Sequence, residues 1–531
     1  MEKKFLLAFT LSLLILFAYS RLIMHLYGPP SKPGKYNMEH YETKNVAVPS
    51  ATQNQISKAD ETTETPLILE TDKLKLFIDP REGAIQKVLL KEYVDDAKEP
   101  IELVKVGDRT FFIGNLWFIS PNIGRVLYEK VEQDSHSINF RTDLPGGVTL
   151  EKRIEFLDSS YALKLSLRFR NQTTHAVPLY YHLVAASHLE PQPQEARFFE
   201  ALSFSNGKKR TFNLHKAMKN PISSDEKTVW VALQEKYFSL ILKPDTELSG
   251  FEIMATEDKK GLSVRVRSTP QNIPAGGEVT ENYLLYFGPN KLEELKKLGP
   301  WAEGVLDYGI FGAIAKILLG ILAYIHRVVN SYGLSIILLT IFVSAILFPL
   351  TSISYNSMKK MKLIQPEVNK IREMYKEKPQ KLNKELMGLY KRQKVNPLGG
   401  CLPMLIQMPI FIAFYSALIH SIELKGAPFL FIKDLSLPDR AVPLPFQLGP
   451  FGNAINVLPI LMAFAMFIQQ KLSASVTGMG AGPEADAQRT MTMMMPFVFG
   501  VMFYGLPSGL VLYWLTNNII MIITQRLLFS R

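Results

Sequence analysis

Seven uncharged polar side chains, Thr340, Ser344, Gln407, Ser416, Thr516, Asn517 and Asn518, interrupt runs that are otherwise Leu, Ile, Met, Val and Phe. Hydroxyls and carboxamides of this kind donate and accept hydrogen bonds and hold water; they do not shuttle protons near neutral pH. The same runs contain no Asp, Glu, Lys, Arg or His until their ends, at His420, Lys471 and Arg526. An intramembrane protease or a proton-coupled carrier needs ionisable groups there, because such groups are costly in lipid and are kept for function. Neither fits this pattern, and a polytopic transporter of another kind stays as an alternative. A single cysteine, Cys401, excludes an intrachain disulfide, and no Cys/His spacing suits zinc. No Gly-x-x-x-x-Gly-Lys-Ser/Thr loop occurs either, so no nucleotide-driven motor is encoded. Neither a catalytic residue nor a metal or cofactor is expected.

The elements that must position those polar groups are membrane spans. A mean hydropathy of +0.06 averages two materials, a polar stretch to about residue 300 and an apolar one from about 305 onward. Five apolar segments stand out at Leu334 to Leu350, Leu402 to Ile419, Ile455 to Ile468, Met491 to Leu506 and Leu510 to Leu528. A helix from Leu334 to Leu350 reaches only about 25 Å at roughly 1.5 Å per residue, against a hydrocarbon core of about 30 Å. Ile455 to Ile468 is shorter still, and such mismatch is met by local thinning of the bilayer.

The net charge of +11 would suit nucleic acid, but the basic residues must first be placed relative to the spans. The loop 351–400 holds twelve Lys or Arg against four Glu, an excess that belongs on the cytoplasmic side. DNA is therefore not an expected partner. Lys3 and Lys4 precede an apolar run from Phe5 to Tyr19, which reads as an uncleaved anchor over 1–28, since no small-x-small site follows. If the anchor runs outward and Leu334 to Leu350 returns, both basic segments are cytoplasmic. Ile310 to Ile325, which carries Lys316, is then expected to lie in the outer interface. Six spans result, with both termini cytoplasmic.

Residues 29–66 are rich in Pro, Ser, Thr, Asn and Gln without periodicity and read as a flexible linker. From 67 to 289 the pattern is that of strands. Leu163, Leu165, Leu167 and Phe169 alternate with polar neighbours, as do Leu262, Val264 and Val266. Turn sequences such as Pro145-Gly146-Gly147 and Pro274-Ala275-Gly276-Gly277 punctuate antiparallel sheets packed as a sandwich. Amphipathic or interfacial helices are expected over 290–330, and 331–531 holds the five-helix core. Within it, 355–396 reads as a helical hairpin, with Val368, Ile371 and Tyr375 on one arm facing Leu382, Leu386 and Leu389 on the other.

The stretch Tyr390-Lys391-Arg392-Gln393-Lys394-Val395-Asn396-Pro397-Leu398-Gly399-Gly400-Cys401-Leu402-Pro403-Met404-Leu405-Ile406-Gln407-Met408-Pro409-Ile410-Phe411 resembles the signature of the YidC/Oxa/Alb family of membrane protein insertases. Further resemblance lies in Phe348-Pro349-Leu350-Thr351, Ser357-Met358-Lys359-Lys360-Met361, Leu363-Ile364-Gln365-Pro366 and Pro507-Ser508-Gly509-Leu510-Val511-Leu512-Tyr513-Trp514, covering about 330–528. The region 67–288 is similar to that family's large periplasmic domain, a β-supersandwich related to sugar-mutarotase folds, with Trp230 to Phe238 among the closer stretches.

The resemblance implies a polytopic α-helical membrane protein with an extracytoplasmic all-β supersandwich domain, in a Gram-negative inner membrane. It also implies insertion of nascent membrane proteins, alone or with the Sec translocon, from a polar groove open to lipid. Thr340, Ser344, Gln407 and Asn517 are the implied groove residues. A hydrophobic slide along the third and fifth spans would use Met408, Phe411, Met502, Tyr513 and Trp514. Lys359, Lys360, Lys362, Arg372, Lys376, Lys391 and Arg392 belong to the cytoplasmic hairpin, and the ribosome and the phospholipid bilayer complete the implied partners. Ser344 stands where the family usually carries an arginine, so a fixed positive charge is not expected in this groove. The mutarotase likeness leaves a carbohydrate-binding role for the β domain as a further alternative, on fold analogy alone. The histidines His136, His175, His182, His188 and His215 are scattered and read as surface or core residues.

Overall fold

The computed structural model describes residues 65–95, 98–107, 111–120, 123–157, 160–189, 198–256, 261–375, 378–393, 395, 402–447, 452–477 and 483–530. The expected anchor and linker lie outside the described residues, as do Lys376, Lys394 and Cys401. The chain forms two compact units that divide between Leu306 and Asp307.

In the first unit the strand alternation read from the sequence holds. Leu163, Leu165, Leu167 and Phe169 are buried on Ala162–Asn171, and Leu262, Val264 and Val266 on Leu262–Arg267. The largest sheet has nine strands, with Ala162–Asn171 between Glu278–Pro289 and Val148–Phe156 near its middle. A seven-stranded sheet is built around Val177–Leu189, flanked by Leu262–Arg267 and Leu116–Ser120, and Leu67 to Val104 forms a four-stranded meander. Every pairing among the described residues is antiparallel, which local hairpins permit without crossover helices. Gly146 (φ 93°) and Gly147 (φ 76°) make the hairpin between Ser137–Leu144 and Val148–Phe156, a backbone that side-chain-bearing residues rarely adopt. Phe118 and Tyr181 of the seven-stranded sheet meet Phe169 of the nine-stranded sheet, with centroids 6.1 and 5.6 Å apart. Tyr181 and Tyr283 hydroxyls lie 2.8 Å apart, and both donate to Glu281.

One buried cation in this unit has a measurable consequence. Lys152 is fully buried on Val148–Phe156, where its ammonium donates to the Gly114 carbonyl at 2.7 Å and lies 4.9 Å from the Tyr128 ring centroid. Burial holds it down to about 7 from its ordinary 10.5, while nearby Glu82, in an ion pair with Arg125, is pushed upward by its own burial. Between pH 7 and 10.5 the unfolded chain therefore keeps a proton on Lys152 that the fold has released. Stability must rise with pH across that window, and the penalty is at full size below it. In the full-length protein, thermal unfolding of the β unit should shift upward from pH 7 to pH 10 (a range within that window), and Lys152→Met should remove most of that shift. An identical shift in the variant would mean that Lys152 is not its source.

The second unit is helical: α1 is Gly312–Val329, α2 Tyr332–Met374, α3 Pro379–Arg392, α4 Leu402–Ile419, α5 Val457–Thr477, α6 Pro483–Phe503 and α7 Ser508–Ser530. By length and composition α1 (mean hydropathy 1.6) and the apolar part of α2 (2.5) are able to cross a bilayer, and Gln407–Ile419, Val457–Ser473 and Met493–Phe503 are shorter apolar stretches. Asn330, in the left-handed conformation, ends α1, Ser331 caps α2, and the rings of His326 and Tyr332 stack at 3.6 Å across this turn. Gly333 is fixed by packing, since a Cβ there would sit 2.0 Å from the Phe429 ring.

Two sequence expectations are corrected here. The span ending at Leu350 and the first arm of the hairpin are one helix of 43 residues, running through Pro349 and Pro366. Proline forfeits a backbone bond, but Thr351 Oγ1 donates to Leu347 O at 3.0 Å and Ser352 Oγ to Pro349 O at 2.8 Å. The carbonyl that Pro349 leaves without a helical donor is that of Ala345, four residues back, so these hydroxyl bonds reinforce the turns around the proline rather than replace the lost bond. Likewise, α5 does not stop with its apolar run at Ile468. It continues to Thr477, because Gln469, Gln470, Lys471 and Ser473 change polarity without breaking the helix. Its 21 residues span about 31 Å, so only its apolar part is short.

Candidate functional site

The hairpin is built as its periodicity suggests. Ile364 and Val368 on α2 pack with Leu389 on α3 and with Val395, and Met361, Ile371, Leu386 and Tyr390 close around them. Tyr375 lies under Lys381, whose ammonium is 5.2 Å from the ring centroid, rather than in this cluster. Lys359, Lys360, Lys362, Lys391 and Arg392 are exposed, and Arg372 is half-buried.

Among the bundle helices, α7 packs against α5 and α2, and α5 packs against α6. Thr340 is buried on α2, and its hydroxyl donates to Ile336 O at 2.6 Å. Ser344, one turn on, is half-buried. Asn517 Nδ2 lies 3.6 Å from Met521 Sδ on the same helix, so Thr340 and Asn517 bond within their own helices rather than to each other. Gln407 reaches from α4 to donate to the Tyr513 hydroxyl on α7. Sequence reasoning brought these residues to attention but missed the larger polar set between α5 and α7. Gln469 Nε2 is 3.4 Å from Met521 Sδ, and Ser473 Oγ donates to Gln525 Oε1 at 3.3 Å. Asn517, Met521 and Gln525 recur every four residues, as do Gln469 and Ser473, a helical-face signal that was available in the sequence.

This carboxamide seam is not saturated. Among the described residues, Gln525 Nε2 in the seam is buried without a hydrogen-bond partner, as are Gln470 Oε1 elsewhere on α5 and Asn518 Nδ2 and Trp514 Nε1 elsewhere on α7. Each such group costs about 1–3 kcal/mol when left unpaired. No Asp, Glu, Lys, Arg or His lies in α2 before Lys359, in α5 before Lys471 or in α7 before Arg526. The seam can hydrogen-bond a polar chain, and the cations Lys471 and Arg526 stand beside its Ser473–Gln525 end.

Beside it lies an aromatic cluster. The Trp514 ring is met edge-on by Phe411 of α4 at 4.6 Å, with Phe503 of α6 at 5.3 Å and Phe499 at 5.9 Å. Phe411 and Phe503 are themselves 5.7 Å apart, so α4 and α6 meet through rings. Tyr513 is buried against Phe414 at 4.5 Å. Of the residues expected on a slide, Tyr513 and Trp514 are interior, because α4 and α6 pack over them, whereas Met408, Phe411 and Met502 are half-buried. Large apolar side chains are instead exposed on the outer faces of the helices, at Ile346, Phe464, Phe497 and Ile523 among others. Among the described residues no group of three His, Cys, Asp or Glu could hold a metal ion.

The model of the YidC periplasmic domain matches residues 67–321, and that of the 60Kd inner membrane protein family matches 324–531. A protein of Geotalea uraniireducens named membrane protein insertase YidC is 31% identical over 547 residues, covering 99% of this chain and 98% of its own length. The chain belongs to the YidC family of membrane protein insertases. A YidC insertase of Haemophilus influenzae is 34% identical over 513 residues, covering 92% of this chain and 90% of its own. A crystal structure of YidC from Thermotoga maritima is similar at 16% identity and a TM-score of 0.29, covering 87% of this chain and 97% of its own. A galactose mutarotase-like protein from Lactobacillus casei is similar at 12% identity and a TM-score of 0.33 over 42% of this chain and 99% of its own. Both likenesses are too distant to bear on function. For this YidC-family chain, membrane protein insertion is the activity the geometry has to serve, and a transporter is not favoured. The matched models are those of an inner membrane protein and a periplasmic domain, so the β unit is the periplasmic part.

Proposed function

We propose that this chain takes nascent membrane proteins at the exposed cations of the α2–α3 hairpin, holds their polar segments against the seam between α5 and α7, and releases their apolar segments into lipid along α4 and α6. The observation that carries this reading is the set of buried polar atoms without partners on α5 and α7, among them Gln525 Nε2 in the seam. Carboxamides buried without partners offer donors and acceptors to a polar chain, lowering the cost of bringing it into the apolar layer. The exposed apolar faces of α2, α5, α6 and α7 suit lipid, and the aromatic junction of Phe411, Phe503 and Trp514 suits an exit path for hydrophobic segments. Thr340 and Ser344 add polarity on α2, and Gln407 ties α4 to α7. The chain acts without covalent chemistry, alone or beside the Sec translocon, with the ribosome as donor of substrate. Depleting the protein in cells should stall insertion of short two-span substrates first, and normal insertion after depletion would refute the reading.

The orientation belongs to the same proposal. Both termini and the hairpin face the cytoplasm, and the β unit and residues 422–452 face the periplasm, since that outer loop carries three basic residues against three acidic ones while 351–400 is strongly basic. Helix α1 lies in the outer interface; as a further span it would place the basic loop outside. Single-cysteine variants labelled from the periplasmic side should react in the β unit and be spared beside Lys376. The reverse pattern would overturn the topology.

A further inference from the structure

At the ends of α5 and α6 the loop before α5 folds into a polar frame. Asn456 Nδ2 donates to Tyr504 O at 2.6 Å, its Oδ1 accepts from Arg440 N at 2.9 Å, and Tyr504 OH donates to Ala454 O at 3.0 Å. The frame encloses a cleft of about 420 Å³, lined by Pro438, Arg440, Asn453, Asn456, Val501 and Tyr504 among others. Arg440 is held in the left-handed region at φ 39°, uncommon for a residue with a side chain, and such conformations persist only where the surroundings impose them. Its side chain is exposed and joins no ion pair among the described residues. The neighbouring Asp439 is buried and is not part of the cleft lining; its carboxylate accepts from Leu458 N at 2.6 Å and caps α5.

The cleft lies where the apolar surface ends. On α5 the exposed Ile460, Leu461 and Phe464 begin about one turn, roughly 6 Å, beyond Asn456, and on α6 the exposed Phe497 and Val501 run up to Tyr504. A guanidinium beside an apolar belt stands at headgroup level when the belt is in lipid. We infer that this cleft binds the phosphate of an anionic phospholipid, with Arg440 as the charge partner and Asn453 as a polar neighbour. The inference rests on the reading that α5 and α6 stand in the bilayer.

The test uses the full-length protein in phosphatidylcholine vesicles doped with a photoactivatable phosphatidylglycerol, with labelled peptides mapped by mass spectrometry. Labelling is expected within 438–447, 452–456 and 501–505. Arg440→Gly, which removes the charge and relieves the backbone, should lower it about fivefold, as one cation at the surface is worth about 1 kcal/mol. Arg440→Lys and Lys433→Ala should keep most of it, and excess inorganic phosphate should not displace it. Undiminished labelling in Arg440→Gly, equal labelling by a phosphatidylcholine probe, or displacement by inorganic phosphate would each overturn the inference. Labelling at Phe464 and Phe497 by either probe reports separately that α5 and α6 are in lipid.

Discussion

Val368→Asp should reduce insertion by about tenfold or more while the protein stays at its normal level in the membrane. Val368 is 2% exposed and packs with Ile364 and Leu389 at the centre of the hairpin's small cluster. An unpaired carboxylate there costs roughly 3–5 kcal/mol, more than so small a cluster can absorb. The hairpin's arms would separate, and its exposed cations would no longer form one surface for the incoming chain. Because α2 is a single helix from bundle to hairpin, the defect originates in an element that the bundle also uses. Deleting residues 67–280 should have a much smaller effect, since the β unit is compact by itself. Insertion assayed by protease protection, with expression matched, decides both. Normal insertion by Val368→Asp, or complete loss in the deletion, would show that the roles are reversed.

The double substitution Gln470→Leu, Asn518→Leu should raise the stability of the bundle and lower insertion about tenfold. Removing buried polar atoms that lack partners is neutral or stabilising, by up to about 1–3 kcal/mol for each. Were these groups only interhelical glue, losing them would weaken the bundle and leave insertion unchanged at matched protein level. The two readings therefore differ in sign on stability. Ser344→Ala should be mild, because an intramembrane hydrogen bond is typically worth only about 0.6 kcal/mol. Thermal unfolding in detergent and insertion of a two-span substrate, measured on the same preparations, separate the cases.

The strands and the hairpin were legible in the sequence because each has one buried face, and a buried face imposes a period of two or of 3.6 on the residues that line it. Ala162–Asn171 and the pair Val368 and Leu389 follow that rule directly. The continuity of α2 was not legible, because Pro349 and Pro366 each remove a backbone donor and so read as breaks, and no local pattern shows that the helix runs through them. The end of α5 was missed for a related reason: hydropathy drops at Gln469 while helical propensity does not. Gln469 and Ser473 were therefore left outside the polar site, although their spacing places them on one stripe of α5 facing Met521 and Gln525. Phe411, Tyr513 and Trp514 were singled out by the resemblance to the family's motifs. That Tyr513 and Trp514 are interior follows from the packing of α4 and α6 over α7, which no local pattern encodes.

Polar segments of a substrate are proposed to pass along the seam between α5 and α7. Photocrosslinkers placed singly at Gln469, Asn517 and Gln525, and at the outward-facing Phe464 and Ile523, can be offered to a two-span nascent chain in liposomes holding only this protein. The account predicts adducts between the substrate's polar segment and the three seam positions, with the two outward positions attached mainly to lipid. Adducts at Phe464 and Ile523 with none at the seam would contradict it.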